Sequence, residues 1–253
     1  MGKVYLVGAG PGAPDLLTLR AARLIEACDV LFHDALVHPD TLALARRARL
    51  VDVGKRYGKV STDQRFINRA LAEAARAHAI VVRLKGGDPM LFGRAQEELD
   101  AATAAGIECE VVPGVTAALA AAATLRTSLT RRGLARTVTF LTPRVGRGES
   151  PSAWVPAALE ADTAVLYMAA GAALEIATAL ISAGKPRATP VALVESASLP
   201  EERRLLTTLG ALATEALPRA EGPVVLCVGE VFRDAAAAEE ASRRIATPQE
   251  RIA

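Results

Sequence analysis

The feature that most constrains the fold is an alternation along the chain. Short runs rich in Val, Ile and Leu, closed by turn residues, take turns with stretches of helical period. That rhythm specifies an α/β protein with helices laid on sheet faces. In the first half it predicts strands at 4–7, 30–32, 50–53, 80–84 and 108–112, with helices at 16–27, 41–47, 63–78 and 94–105. Helices between successive strands favour parallel pairing. Within 63–78, Phe66, Ile67, Ala70, Leu71 and Ala74 share a face, while Arg65, Asn68, Arg69, Glu73 and Arg76 fall mostly elsewhere, so this helix is expected to lie on the sheet.

After Pro113-Gly114 comes an Ala-rich helix at 115–125, and then the pattern restarts, with strands at 138–141, 164–167, 191–194, 204–207 and 224–228. The reading is two α/β domains, 1–113 with a mostly parallel sheet and 114–233 with a mixed sheet, followed by a surface tail at 234–253. The mixed sheet follows from residues 196–202, too few for a crossover helix, which makes the strands on either side antiparallel. Pro143, Gly146, Gly148, Pro151 and Pro156 make 142–156 an exposed loop.

With 253 residues, 51% of them apolar, the chain can bury a large core without disulfide or metal. Thirty Lys and Arg against 28 Asp and Glu leave a formal charge of +2, no field for nucleic acid or anionic membrane, so any basic site is local. The longest apolar run, 115–125, is too short to span a bilayer. Cys28, Cys109 and Cys227 are odd in number and far apart, which argues against a disulfide framework or a CxxC metal site and points to a reducing cytoplasm. No signal peptide is expected between Met1 and the first strand. No His, Cys or acidic set has metal-ligand spacing.

Two glycine-rich turns carry the chemistry. The first strand runs into Gly8-Ala9-Gly10-Pro11-Gly12-Ala13, formally a dinucleotide fingerprint, with Asp34 about where a ribose-binding acid would fall. Pro11 and Pro14 remove backbone N–H groups that a pyrophosphate needs, so the turn suits a ligand without phosphate, such as S-adenosylmethionine, or is a tight turn with no ligand. The second turn, Lys85-Gly86-Gly87-Asp88-Pro89, followed by Met90-Leu91-Phe92-Gly93-Arg94, puts bare backbone at a strand's carboxyl end. Asp88 either meets an ammonium or hydroxyl there or caps the turn.

These segments resemble the tetrapyrrole methylases, over roughly residues 3–232. The likeness rests on Val7 to Gly12 with Asp15-Leu16-Leu17-Thr18, on Asp34-Ala35-Leu36-Val37, on Gly54-Lys55-Arg56 with Gln64, Ile67 and Asn68, and on Lys85 to Pro89 with Phe92-Gly93-Arg94 and Glu97-Glu98. Pro113-Gly114-Val115-Thr116-Ala117, Leu166-Tyr167-Met168, and Gly222-Pro223 with Val228-Gly229-Glu230-Val231 complete it. The Gly54-Lys55-Arg56 and Gln64 set resembles the branch acting on uroporphyrinogen III. The chain departs from the family at Ala95-Gln96, usually two glycines, at Arg131 and Gly133, usually His and Asp, and after Met168, where a glycine is usual.

The resemblance implies two α/β domains with S-adenosylmethionine in the cleft between them, and a homodimer. It implies methylation of uroporphyrinogen III at two pyrrole carbons, C2 and C7, giving precorrin-2 for sirohaem, cobalamin or haem d1, with S-adenosylhomocysteine as by-product. Carried over by position, the cofactor contacts are Pro11, Gly86, Gly87, Asp88, Leu91, Thr116, Ala117, Met168, Ala197 and Pro223, with Phe92 and Val225 nearby. Thr116 heads the Ala-rich helix, whose free N–H groups can receive the cofactor's carboxylate. Lys55, Arg56, Arg131 and Arg132, with Arg144, are cations suited to substrate carboxylates. Arg94, with Glu97 at i,i+3 to fix its geometry, and Asp34 are the catalytic candidates. Another superfamily member, a corrin-ring methylase or a diphthine synthase, is the alternative. Pro11 disfavours a nicotinamide oxidoreductase, and the lack of clustered aromatics disfavours an RNA-binding module.

Overall fold

A computed structural model of the chain describes residues 1–54, 64–145, 150, 152–169, 171–215 and 219–237. The chain divides into two compact units, Met1–Ala120 and Ala121–Ala253.

The first unit contains, in order, β1 (Lys3–Gly8), α1 (Leu19–Ala27), β2 (Val30–His33), α2 (Pro39–Leu42), β3 (Arg49–Asp52), α3 (Gln64–Ala77), β4 (Ile80–Lys85), α4 (Ala95–Ala104), β5 (Cys109–Val112) and the start of α5 (Ala117–Thr124). Among the described residues the strands form one parallel sheet in the order β3-β2-β4-β1-β5. Period-two alternation splits its apolar side chains. Val7, Leu31, Val82 and Leu84 pack with Ile25 of α1, while Val4, Leu6, Phe32 and Val81 pack with Ile67 and Leu71 of α3. Both faces are covered along the central strands, which is why β1, β2 and β4 are rich in Val, Leu and Ile. The chain leaves β1 towards β2 and leaves the adjacent β4 towards β5, on the other side. Loops that diverge this way from neighbouring parallel strands open a ligand crevice beyond the carboxyl ends.

Local chemistry sets the boundaries. Thr18 caps α1, its Oγ1 accepting from the Ala21 N–H at 3.1 Å, so the predicted helix at 16–27 starts at Leu19, after a 3₁₀ turn at Pro14–Leu16. The helix expected at 41–47 shrinks to α2, opened by Pro39 and followed by turns.

The second unit holds β6 (Val138–Leu141), α6 (Trp154–Glu160), β7 (Thr163–Leu166), α7 (Ala173–Ser182), β8 (Pro190–Glu195), β9 (Arg203–Thr208), α8 (Leu209–Leu212) and β10 (Val224–Gly229). Its sheet runs β6-β7-β10-β8-β9 and is mixed: β6 and β7 are parallel, while β10 is antiparallel to both neighbours and β9 to β8. Pro156 corrects the loop reading of 142–156, because it lies in the first turn of α6, where a missing N–H leaves no helical bond unmade. Residues 238–253 of the expected tail lie outside the described residues.

Candidate active site

Three loops meet at the carboxyl edge of the first sheet. Ala9 N donates to the Lys85 carbonyl at 2.7 Å. Gly10 and Gly87 exchange a pair of backbone hydrogen bonds, Gly87 N to Gly10 O at 2.7 Å and Gly10 N to Gly87 O at 3.2 Å. Gly114, in the loop after β5, closes the set. A Cβ on Gly8 would lie 2.6 Å from Gly114 Cα, and one on Gly114 would run into the Gly87 carbonyl oxygen. Since backbone, and not a movable side chain, is in the way, Gly114→Ala is expected to destabilise the fold by about 1–3 kcal/mol, the range for overpacking. An unchanged melting temperature would contradict this contact.

Asp88 fixes the second loop to the third. Its Oδ1 accepts from Met90 N at 2.8 Å and its Oδ2 from Gly114 N at 2.9 Å, so the carboxylate caps its own turn and ties 88 to 114. Beyond it the chain passes Leu91, half-buried, then Phe92 and Arg94, both in the left-handed region at φ 54° and 56°. Two non-glycine residues held there mark a strained loop, and such strain concentrates at functional sites. Thr116 O accepts from Leu119 N at 3.0 Å, placing Thr116 at the head of α5 with Ala117 as its first residue. Pro11, half-buried, lies in the β1 loop. This edge therefore brings together Pro11, Asp34, Gly86, Gly87, Asp88, Leu91, Phe92, Arg94, Thr116 and Ala117.

The charged groups at the edge are paired. Arg94 meets Glu97 through two parallel bonds, Nε to Oε1 and NH2 to Oε2, each 2.7 Å, and this fork holds the Glu97 carboxyl below its usual range. Asp34, just past β2, accepts from Arg83 NH2 at 2.6 Å. Arg83 and Lys85 both project to the face covered by α3 and α4, and both bind Glu98: Arg83 Nε to Oε1 at 3.1 Å, Lys85 Nζ to Oε2 at 2.9 Å. Gln64 Nε2 is a third donor to the carboxylate, bonding Oε1 at 3.1 Å. Burial, with Arg83 beside it, pushes the Lys85 ammonium below its ordinary value. Sequence reading missed this set. Its only local signal is two cations inside the apolar run Val81-Val82-Arg83-Leu84-Lys85.

In the second unit, four expected positions gather at one edge of the mixed sheet. Met168 follows β7, Pro223 immediately precedes β10 and Val225 is its second residue, and Ala197 follows β8; the antiparallel registers bring these ends together, with Ser196 N bonded to Pro223 O at 2.9 Å. Met168 stands at φ 56° and is exposed, whereas Ala197 and Val225 are buried. Arg144, past β6, is on this edge and exposed. Arg131 and Arg132 belong to the opposite end, beside the amino ends of β6 and β7, where Arg131 pairs with Asp234 at 2.8 Å. Lys55 and Arg56 lie outside the described residues.

Comparison with known proteins gives one consistent picture. Residues 3–213 match the family of Tetrapyrrole (Corrin/Porphyrin) Methylases. A uroporphyrinogen-III C-methyltransferase from Pseudomonas aeruginosa is 45% identical over 92% of this chain and 95% of its own. The crystal structure of uroporphyrin-III C-methyl transferase from Thermus thermophilus complexed with S-adenyl homocysteine is similar at TM-score 0.80 and 42% identity, covering 92% of this chain and 100% of that one. The X-ray structure of the cobalt precorrin-4 methyltransferase CbiF is similar at TM-score 0.79 but 29% identity, over 91% of this chain and 95% of its own.

Proposed function

The chain belongs to the tetrapyrrole (corrin/porphyrin) methylases, and we propose that it methylates uroporphyrinogen III at C2 and C7, with S-adenosylmethionine as donor, to give precorrin-2. The observation that carries this reading is that likeness to a uroporphyrinogen-III C-methyltransferase runs almost end to end through both chains.

The residues present fit the cofactor. Gly86 and Gly87 offer backbone without side chains, and a Cβ on Gly87 would meet nothing nearer than Thr116 Cα at 3.9 Å, so the space beside it is open to a ligand. Pro11 keeps the neighbouring turn rigid and poor in N–H donors, which suits a ligand without phosphate. When bound, S-adenosylmethionine supplies an electrophilic methyl on a sulfonium. Gly86, Gly87, Leu91, Phe92, Thr116 and Ala117 would hold it from the first unit. Arg94, kept in place by Glu97, orients the carboxylate-rich substrate, and Asp34 takes a hydrogen bond or a proton from the pyrrole being methylated. Uroporphyrinogen is electron-rich at its pyrrole carbons, so orientation and proton management suffice, without a covalent enzyme intermediate.

We place the protein in the cytoplasm as a homodimer. Its three cysteines are free, and burial pushes the Cys28 and Cys109 thiols up to about 11 and Cys227 to about 12, so they stay protonated and unreactive. Among the described residues no helix is long and apolar enough to cross a membrane. Calorimetric titration is expected to give saturable heat with S-adenosylhomocysteine and none with NAD or a short RNA. Single turnover with labelled S-adenosylmethionine should place label in uroporphyrinogen III. Binding of NAD in place of S-adenosylhomocysteine would overturn the reading, and sedimentation equilibrium at the monomer mass would overturn the dimer.

A further inference from the structure

Arg83 is only 3% exposed, yet none of its guanidinium nitrogens is idle. Nε bonds Glu98 Oε1 at 3.1 Å, NH1 the Leu84 carbonyl at 3.0 Å, and NH2 Asp34 Oδ1 at 2.6 Å. Glu98, itself fully buried, is held in turn by Lys85 and Gln64. A buried arginine anchored on a strand at one end, with its other end on a carboxylate that is 31% exposed, has one free consequence: it sets where that carboxylate stands. Ion clusters of this kind stabilise little, since desolvation offsets most of the attraction, so stability does not account for the arrangement. The planar fork does account for it, because only Arg reaches two acceptors in fixed directions.

We propose that Arg83, locked by Glu98, is a positioning residue that fixes the Asp34 carboxylate at the carboxyl edge of the first sheet. The inference rests on the reading that Asp34 serves methyl transfer to uroporphyrinogen III. Arg83 acts through Asp34 and touches no reactant. Local precedent on the molecule is consistent: Asn68 Nδ2, on the helix that carries Gln64, donates to the Glu97 carbonyl at 3.1 Å, so α3 also steadies the turn bearing Arg94.

A double-mutant cycle tests this, because groups acting as one unit give non-additive losses. Arg83→Lys keeps the charge without the fork and is expected to lower single-turnover methyl transfer about 10-fold, with KM and S-adenosylhomocysteine affinity within about 2-fold of the parent. Asp34→Ala is expected to lose about 10². The double variant should be no slower than Asp34→Ala alone. Glu98→Gln, which preserves volume, should show a smaller loss that also vanishes in the Asp34→Ala background, and it carries the test if Arg83→Lys does not fold. Losses that multiply in the double variants, or a parent-like rate in Asp34→Ala, overturn the inference while leaving the proposed reaction intact. Absence of methyl transfer by the unaltered chain overturns the proposed reaction and this inference with it.

Discussion

Gly87→Leu is expected to fold and to lose all measurable affinity for S-adenosylhomocysteine. Gly87 sits at φ +68°, where an L-residue is strained by roughly 1–2 kcal/mol, and its backbone cannot turn away because N–H and C=O are both committed to Gly10. The new Cβ itself meets no wall, with Thr116 Cα at 3.9 Å, so the fold tolerates it. The remaining leucine atoms must then enter the open space between the second loop and the head of α5, which is where the ligand is proposed to lie. A matched control separates strain from occlusion. Gly106 has the same φ of +68° and a Cβ there would meet nothing within 4 Å, but it lies at the other end of the sheet, between α4 and β5. Gly106→Leu should lower the melting temperature by a similar few degrees and leave binding unchanged. Near-parental affinity in Gly87→Leu, or equal loss of affinity in the two variants, would sink the proposed cradle.

What the sequence disclosed and what it hid follow a physical division. Each of the runs in the first half became a strand: the central β1, β2 and β4 were legible because burial on both faces demands Val, Ile and Leu, while the more exposed edge strands β3 and β5 carry Asp52 and Glu110 among their apolar residues. The antiparallel turn of the second sheet was legible from loop length alone. Helix α7 was hidden because alanines at 173, 177 and 179 blur the contrast between its buried Ile176 and Leu180 and its exposed Leu174. Helix α6 was hidden because Pro156 reads as a breaker unless the helix is known to begin two residues earlier. At the site, the Arg94–Glu97 pair was legible because i,i+3 contact is local. The Asp34–Arg83 bond, 49 residues apart in sequence, was not. Glu97 and Glu98 show the same limit side by side: one step of helix rotation sends the first outward to Arg94 and the second inward to Arg83 and Lys85. Those inward partners share one face of β4 by strand alternation, and only the packing of α4 back onto that face brings Glu98 to them.

Arg94→Lys should leave S-adenosylhomocysteine affinity nearly intact and reduce methyl transfer by about 10² or more, the penalty for displacing an orienting group by an ångström. An exposed ion pair such as Arg94–Glu97, with the two side chains 55% and 49% exposed, contributes little to stability, so the pair is not there to hold the fold. Its host residue is instead strained, at φ 56° in the position preceding α4, and its fork is fixed at both Nε and NH2. Strain together with a rigid bidentate hold is what a pre-set cation at a substrate edge requires. Lysine keeps the charge but neither the plane nor the second bond. Glu97→Gln should cause a smaller loss of the same kind. Because Arg94 holds the Glu97 carboxyl below its ordinary value, the pair is complete above the usual carboxylate range and is lost only as pH falls through that lowered value. The Arg94-dependent part of the rate should therefore be flat from about pH 6 to 8. Single-turnover formation of precorrin-2 from uroporphyrinogen III decides the matter. A parental rate in Arg94→Lys would show Arg94 to be a rim charge, and the orienting role would pass to Asp34 and the Arg83 that holds it.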